Sequence, residues 1–237
     1  LNLLIINVVV FVAQLVMPRI GIELEDYLGL HYWQSESFNI IQLFTNMFLH
    51  ADFSHLFFNM FAVLMFAPAI EDRWGSRRFL IYYLVTGIGA GIIQEIVWAL
   101  QLQPVLNSVD PLMAAQLANR VVTIGASGAV FGILLAFGWL FPDVRMYILF
   151  IPVPIRARTL VIIYALIELF TGLAPSAGDN VAHFAHLGGM IFGWLLILWW
   201  RHRGYDGFDS TPWNDGYKKR RIENIKRWIK NKWEDWF

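Results

Sequence analysis

Residues 190–200 read MIFGWLLILWW, an uncharged and almost wholly apolar run. A helix packed on a soluble core keeps a polar face for water, and this stretch has none to offer; its natural solvent is hydrocarbon. Residues 133–141, ILLAFGWLF, read the same way. The whole chain of 237 residues is 57% hydrophobic, against roughly 45–50% for soluble domains. These runs make it a multi-span membrane protein.

Working outward from the two runs, apolar segments separated by turn signals place spans near 1–17, 54–70, 79–100, 124–141, 157–174 and 182–200. The first is slightly short of the ~20 residues that cross a bilayer. It lacks an initiator Met and a basic flank, so it reads as a truncated span rather than a signal peptide.

Net charge is zero, but its distribution is uneven. Arg73, Arg77 and Arg78 follow span two, Arg145, Arg156 and Arg158 follow span four, and ten more basic residues follow span six. Only Arg19 and Arg120 fall elsewhere, so 16 of the 18 basic residues share one face. The positive-inside rule makes that face cytoplasmic, with both termini on it. The expected setting is an integral multi-pass protein of a bacterial inner membrane.

Between spans one and two, residues 18–53 form a long outer connection mixing acids with apolar residues such as Ile40, Phe44 and Phe48, a composition suited to dipping into the outer leaflet. After Arg203 the composition turns to Gly, Asp, Pro and Ser, then to a basic segment in which Ile222, Ile225, Ile229, Trp233 and Trp236 recur at helical spacing. We divide the chain into a six-helix domain, residues 1–203, and a cytoplasmic tail, residues 204–237. The tail reads as an amphipathic helix on the membrane surface, or as a solvated extension.

Polar side chains inside spans are costly and each calls for a partner or a purpose. His55, Asn59, Ser127, His183 and His186 all lie at or just after the starts of spans two, four and six, which run in the same direction. They should therefore meet at one depth, near the outer surface. Ser127 sits in Gly125-Ala126-Ser127-Gly128 at a helix start, where unpaired N–H groups and the positive dipole end would favour an oxyanion. Alone, that tetrapeptide reads as a tight turn with a capping serine. His186 sits in Ala185-His186-Leu187-Gly188-Gly189, and Gly189 with Gly193 forms a small face matched by Gly128 and Gly132 on span four. Two such faces would bring imidazole and hydroxyl within reach. His55 and Asn59, at i and i+4, share one helix face and read either as oxyanion donors or as interhelical polar glue.

With no cysteine in the chain, thiol nucleophiles, thiolate metal sites and disulfides are excluded. A histidine metal site is disfavoured because there is no His-Glu-x-x-His and no carboxylate cluster is apparent nearby. Glu95 and Glu168, toward the outer ends of spans three and five, receive no chemical role.

The combination of His50, His55-x-x-x-Asn59, Gly125-Ala126-Ser127-Gly128 and Ala185-His186-x-x-Gly189, with Glu71-x-Arg73-x-Gly75, resembles the rhomboid intramembrane protease family over essentially residues 40–200. The resemblance implies an all-α, six-transmembrane-helix bundle. It implies Ser127 as nucleophile, His186 as base, and His55, Asn59 and the Ser127 N–H as oxyanion donors. His50 looks structural, and Gly125, Gly128, Phe131, Gly189 and Gly193 support the site. Two departures stand out: Ile41-Gln42 where many members carry Trp-Arg, and Phe131 where a tyrosine is often found. An aromatic face suffices to stack on His186, so Phe131 should hold that ring.

The expected chemistry is hydrolysis by a Ser-His dyad with no acid to complete a triad, acting on transmembrane protein substrates in the lipid bilayer. The resemblance implies substrate entry between spans two and five under a cap at residues 174–181. No metal, cofactor or nucleic-acid partner is expected. The rival readings are a non-cleaving family member that binds client membrane proteins, and a transporter or channel. Intact Ser127 and His186 oppose the first, and the confinement of the polar groups to the outer half opposes the second.

Overall fold

The computed structural model describes residues 1–148, 151–174 and 181–204, with Glu223 and Arg227 as isolated helical positions. The long helices fall where the apolar runs predict them. They are α1 (Asn2–Val16), α4 (Phe53–Trp74), α5 (Ser76–Leu106), α7 (Ser127–Leu140), α8 (Ala157–Leu173) and α9 (His183–His202), with short α2 (Leu24–Leu28), α3 (Gln42–Thr45) and α6 (Pro111–Asn119) between them. Among the described residues, α1 with its 3-10 extension to Ile20, α4, α5 and α9 are long and apolar enough to cross a membrane.

The burial pattern is that of a protein solvated by lipid. Ile5, Val9, Phe58, Leu64, Ile162, Phe170 and Leu195 point outward, whereas the buried set includes Asn7, Gln42, Asn46, His50, Asn59 and Glu168. Exposed apolar surface on this scale would be untenable in water. Helix α7 sits at the centre, with Gly128, Ala129, Val130, Gly132, Ile133, Leu134, Ala136, Phe137 and Gly138 all buried. At 14 residues it is about 21 Å long, shorter than the ~30 Å hydrocarbon core. Only a helix surrounded by protein tolerates that mismatch without strain on the bilayer.

Local sequence fixes the element ends that matter. Asp52 caps α4, its side chain accepting from His55 N–H at 2.8 Å, and Gly75 ends it at φ 79°. Asp110 caps α6 by accepting from the N–H groups of Leu112 and Met113.

Two small antiparallel sheets qualify the all-α expectation. Strand β1 (Leu30–His31) pairs with β2 (Val122–Thr123) in the register Leu30 to Thr123 and His31 to Val122. This pairing ties the first outer connection to the chain just before Ser127. Strands β3 (Arg145–Ile148) and β4 (Ile151–Arg156) form a hairpin ahead of α8.

The connection between α1 and α4 is an ordered structure with Gln42 at its heart. Gln42 is buried; its Oε1 accepts from the N–H groups of His31 and Asn39, and its Nε2 donates to the carbonyls of Tyr27 and Ser37. The departure at position 42 therefore supplies an anchor of its own. Trp33 N–H donates to Glu95 Oε2 at 3.0 Å, fastening the same loop to α5. The tail helix and most of the expected cap, residues 175–180, lie outside the described residues.

Candidate active site

Gly125 turns the chain into α7 at φ 135°, a conformation that favours glycine, and a Cβ there would press on the His55 ring at 2.8 Å. Two residues on, Ser127 opens α7 with Ala126 as its N-cap. Its side chain stands beside the first-turn N–H groups, which no preceding helical carbonyl satisfies.

From α9, His186 Nε2 reaches Ser127 Oγ at 2.7 Å. Phe131, one turn below Ser127, stacks on the imidazole with centroids 4.3 Å apart and an interplanar angle of 9°. The ring is thus contacted on its face as well as at its edge.

The small residues make this approach possible. A Cβ on Gly189 would collide with the carbonyl oxygen of Gly128, so α7 and α9 touch backbone to backbone at that level. The expected glycine pairing is only partly right. Gly128 and Gly132 face Ala90 and Thr86 of α5, and Gly193 faces the Tyr82 hydroxyl. Tyr82 in turn donates to Gly132 O at 2.9 Å. Three helices, rather than two, use glycine to close on one another.

His55 lies across the site on α4. Its Nδ1 accepts from Ala51 N–H at 3.3 Å, which leaves the proton on Nε2, the nitrogen lying against Gly125. Asn59 is buried and spends one amide hydrogen on His55 O at 2.9 Å, keeping the other. Both line a cavity of about 1050 Å³ together with Ser127, Phe131, Tyr164 and His186. Phenylalanine and aliphatic side chains of α4, among them Phe57, Phe58, Phe61 and Phe66, line much of one wall, with Val130 and Leu134 of α7 and Leu160 of α8.

His50 stands behind His55, edge-to-face with centroids 5.1 Å apart. Gln14 of α1 clamps its backbone, accepting from His50 N–H at 3.0 Å and donating to its carbonyl at 3.2 Å. Burial, and then the neighbouring His55, lower the His50 pKa to about 4. The unfolded chain takes up that proton near pH ~6.5, so the stability of the neutral, buried form is present above that pH and is lost as pH falls toward 4. The thermal midpoint in detergent should drop over this window, and His50→Leu should make the drop shallower; an unchanged pH dependence in the variant would assign the effect elsewhere.

The expectation that no acid reaches the histidine does not hold geometrically. Glu168 of α8 is buried, and its Oε2 lies 2.9 Å from His186 Nδ1 and 2.6 Å from His183 Nδ1. Each of these three residues offers a potential metal-ligating atom within 4.8 Å of the others, so one carboxylate, not apparent near the histidines in the linear sequence, joins two of them in space. One signal pointed to it: a glutamate at the outer end of a span, at the level of the two histidines, needs a partner.

Set beside known proteins, the chain matches the Rhomboid domain model over residues 37–203. It belongs to the rhomboid family. YdcA of Bacillus subtilis (strain 168), provisionally named a rhomboid protease, is 35% identical over 155 residues, covering 65% of this chain and 64% of that protein. The mitochondrial Rhomboid protein 1 of Saccharomyces cerevisiae is 28% identical over 189 residues, covering 80% and 47%. Rhomboid protease GluP of Bacillus subtilis is 31% identical over 157 residues, covering 65% and 25%. The matched region thus spans just under two thirds, about half and a quarter of the lengths of these three relatives. Family and apolar helices together make it an integral membrane protein.

Proposed function

We propose that this chain is an intramembrane serine endopeptidase that cleaves transmembrane segments of membrane-protein substrates near the outer membrane face. The observation that carries the reading is the 2.7 Å contact between His186 Nε2 and Ser127 Oγ on the wall of a large, mostly apolar cavity. A hydroxyl in hydrogen-bond contact with an imidazole, beside a helix N-terminus, is the arrangement acyl transfer needs.

In this mechanism His186 Nε2 takes the Ser127 proton as Oγ attacks the scissile carbonyl carbon. The carbonyl oxygen becomes an oxyanion held by the Ser127 N–H, His55 Nε2–H and the free amide hydrogen of Asn59. His186 then passes its proton to the leaving amide nitrogen, the C–N bond breaks, and an acyl-enzyme remains on Oγ. Water, deprotonated by His186, releases the acid and restores Ser127.

We further propose six spans, α1, α4, α5, α7, α8 and α9, with both termini on the basic, cytoplasmic side of a bacterial plasma membrane and residues 204–237 as a surface-bound tail. The shortness of α7 supports a nucleophile held below the outer surface, where a water-accessible cavity can serve a lipid-embedded substrate. Lateral entry between α4 and α8 is supported by the aromatic and aliphatic residues of both helices that line the cavity, among them Phe57, Phe61, Leu160 and Tyr164. A substrate helix must unravel to present its carbonyl, so Gly, Pro and small residues near the cut are favoured.

The test is to incubate the purified protein in detergent with a model single-span substrate alongside Ser127→Ala. Cleavage by wild type and none by the variant is expected. Equal cleavage by the variant, or none by wild type, sinks the reading, and the second result favours the client-binding alternative.

A further inference from the structure

We propose that Glu168 is a positioning residue for His186, so that the protease works through a buried Ser-His-Glu chain with a second imidazole, His183, steadying the acid. This rests on the reading of Ser127 and His186 above.

A carboxylate only accepts hydrogen bonds. Contacts of 2.9 Å to His186 Nδ1 and 2.6 Å to His183 Nδ1 therefore put the hydrogen on Nδ1 of both rings. In His186 that choice leaves the Nε2 lone pair facing Ser127 Oγ, the tautomer a general base requires. The opposite tautomer would offer Ser127 a donor and could not take its proton. When Nε2 does gain the proton, the imidazolium forms with Nδ1–H already bonded to a negative oxygen in an apolar surrounding, where that interaction is strongest. The proton shuttles between Oγ, Nε2 and the leaving nitrogen; Glu168 stays ionised throughout.

His183 has a different part. Thr171 Oγ1 donates to Ile167 O at 2.7 Å and lies 3.0 Å from His183 Nδ1, so the Nδ1–H is shared between Glu168 and Thr171. One carboxylate oxygen is thus held by donors from two points on α9 and cannot swing away from His186. Phe131 restrains the remaining freedom of the His186 ring.

The distances favour protons over a metal ion in this cluster. Ligand atoms about 2.0 Å from a tetrahedral zinc stand ~3.3 Å from one another, whereas the oxygen here is 2.6 Å and 2.9 Å from the two nitrogens. Those are the lengths of charge-assisted hydrogen bonds. Because Glu168 is on α8, the same contact also makes the activity of α7 and α9 sensitive to where α8 sits.

The experiment compares wild type, Glu168→Ala, Glu168→Gln and Ser127→Ala as full chains in detergent. It reads kcat and KM on a single-span substrate, and the ¹⁵N-histidine NMR signature of His186, assigned by its loss in His186→Gln. Glu168→Ala should lower kcat about 100-fold with KM within about twofold, and should lose the Nδ1–H signature that wild type shows. Glu168→Gln can turn an amide donor toward Nδ1 and favour the opposite tautomer, so it should weaken that signature and lose at least about 100-fold in kcat. A folded Glu168→Ala with kcat within about twofold of wild type and an unchanged tautomer overturns the proposal. Should that variant not fold, undiminished kcat in the near-isosteric Glu168→Gln overturns it instead. The NMR signature is independent of turnover, so loss of Nδ1–H in wild type refutes the positioning role even where cleavage depends on Ser127. Cleavage that persists in Ser127→Ala refutes the underlying protease reading and the present one with it.

Discussion

His186→Ala should reduce cleavage by at least about 10³-fold in kcat, with KM little changed. A serine hydroxyl is a weak nucleophile until a base removes its proton, and His186 Nε2 is placed 2.7 Å from Ser127 Oγ to do so. His55, the other imidazole lining the cavity, has its Nδ1 committed to Ala51 N–H and presents a donor, so it cannot substitute as the base. Removing Ser127 as well should cost little more, because nucleophile and base act as one unit. Initial rates of the two single variants and the double variant check this. Additive losses would show that the two residues act separately.

Gly189→Leu should be nearly as damaging, although residue 189 touches no substrate. The backbone of Gly128 occupies the space a side chain would need, and backbone cannot rotate away as a side chain can. Helices α7 and α9 must then move apart by an ångström or more. A misplacement of about 1 Å between reacting groups costs about 100-fold in rate, and overpacking costs about 1–3 kcal/mol in stability. Both kcat and the thermal midpoint in detergent should fall. Leu195→Ala, on the lipid-facing side of the same helix, serves as the control and should change neither. Wild-type activity in Gly189→Leu would mean that the helices close on each other by some other surface.

The contrast between these residues and Glu168 shows what the linear sequence reveals in this protein. Span positions are legible because lipid demands long apolar runs, and the depth of His55, Asn59, Ser127 and His186 follows from span direction alone. The meeting of Gly189 with α7 is legible because glycine in a span has few uses besides close approach. Helix rotation is not legible in the same way. Helix α8 is apolar on most of its circumference, so hydropathy does not say which way Glu168 points, and only its Nδ1 partners on α9 fix it. The glycines of α7 suffer the same ambiguity, since a helix buried on all sides gives no sign that Gly132 faces α5 rather than α9. Pairings of two residues, such as Leu30–His31 with Val122–Thr123, are too short to leave an alternating pattern. The role of Gln42 was hidden for a different reason: its four hydrogen bonds go to backbone groups, whose positions no residue type announces.

The central claim, that Ser127 is a nucleophile activated by His186, is met most directly by covalent trapping. The protein in lipid nanodiscs is treated with a fluorophosphonate, digested, and the adduct located by mass spectrometry. A single adduct on Ser127, forming at least about 10³-fold more slowly in His186→Ala, is the predicted result. No adduct on Ser127, or labelling of Ser127 at the same rate without His186, would contradict it.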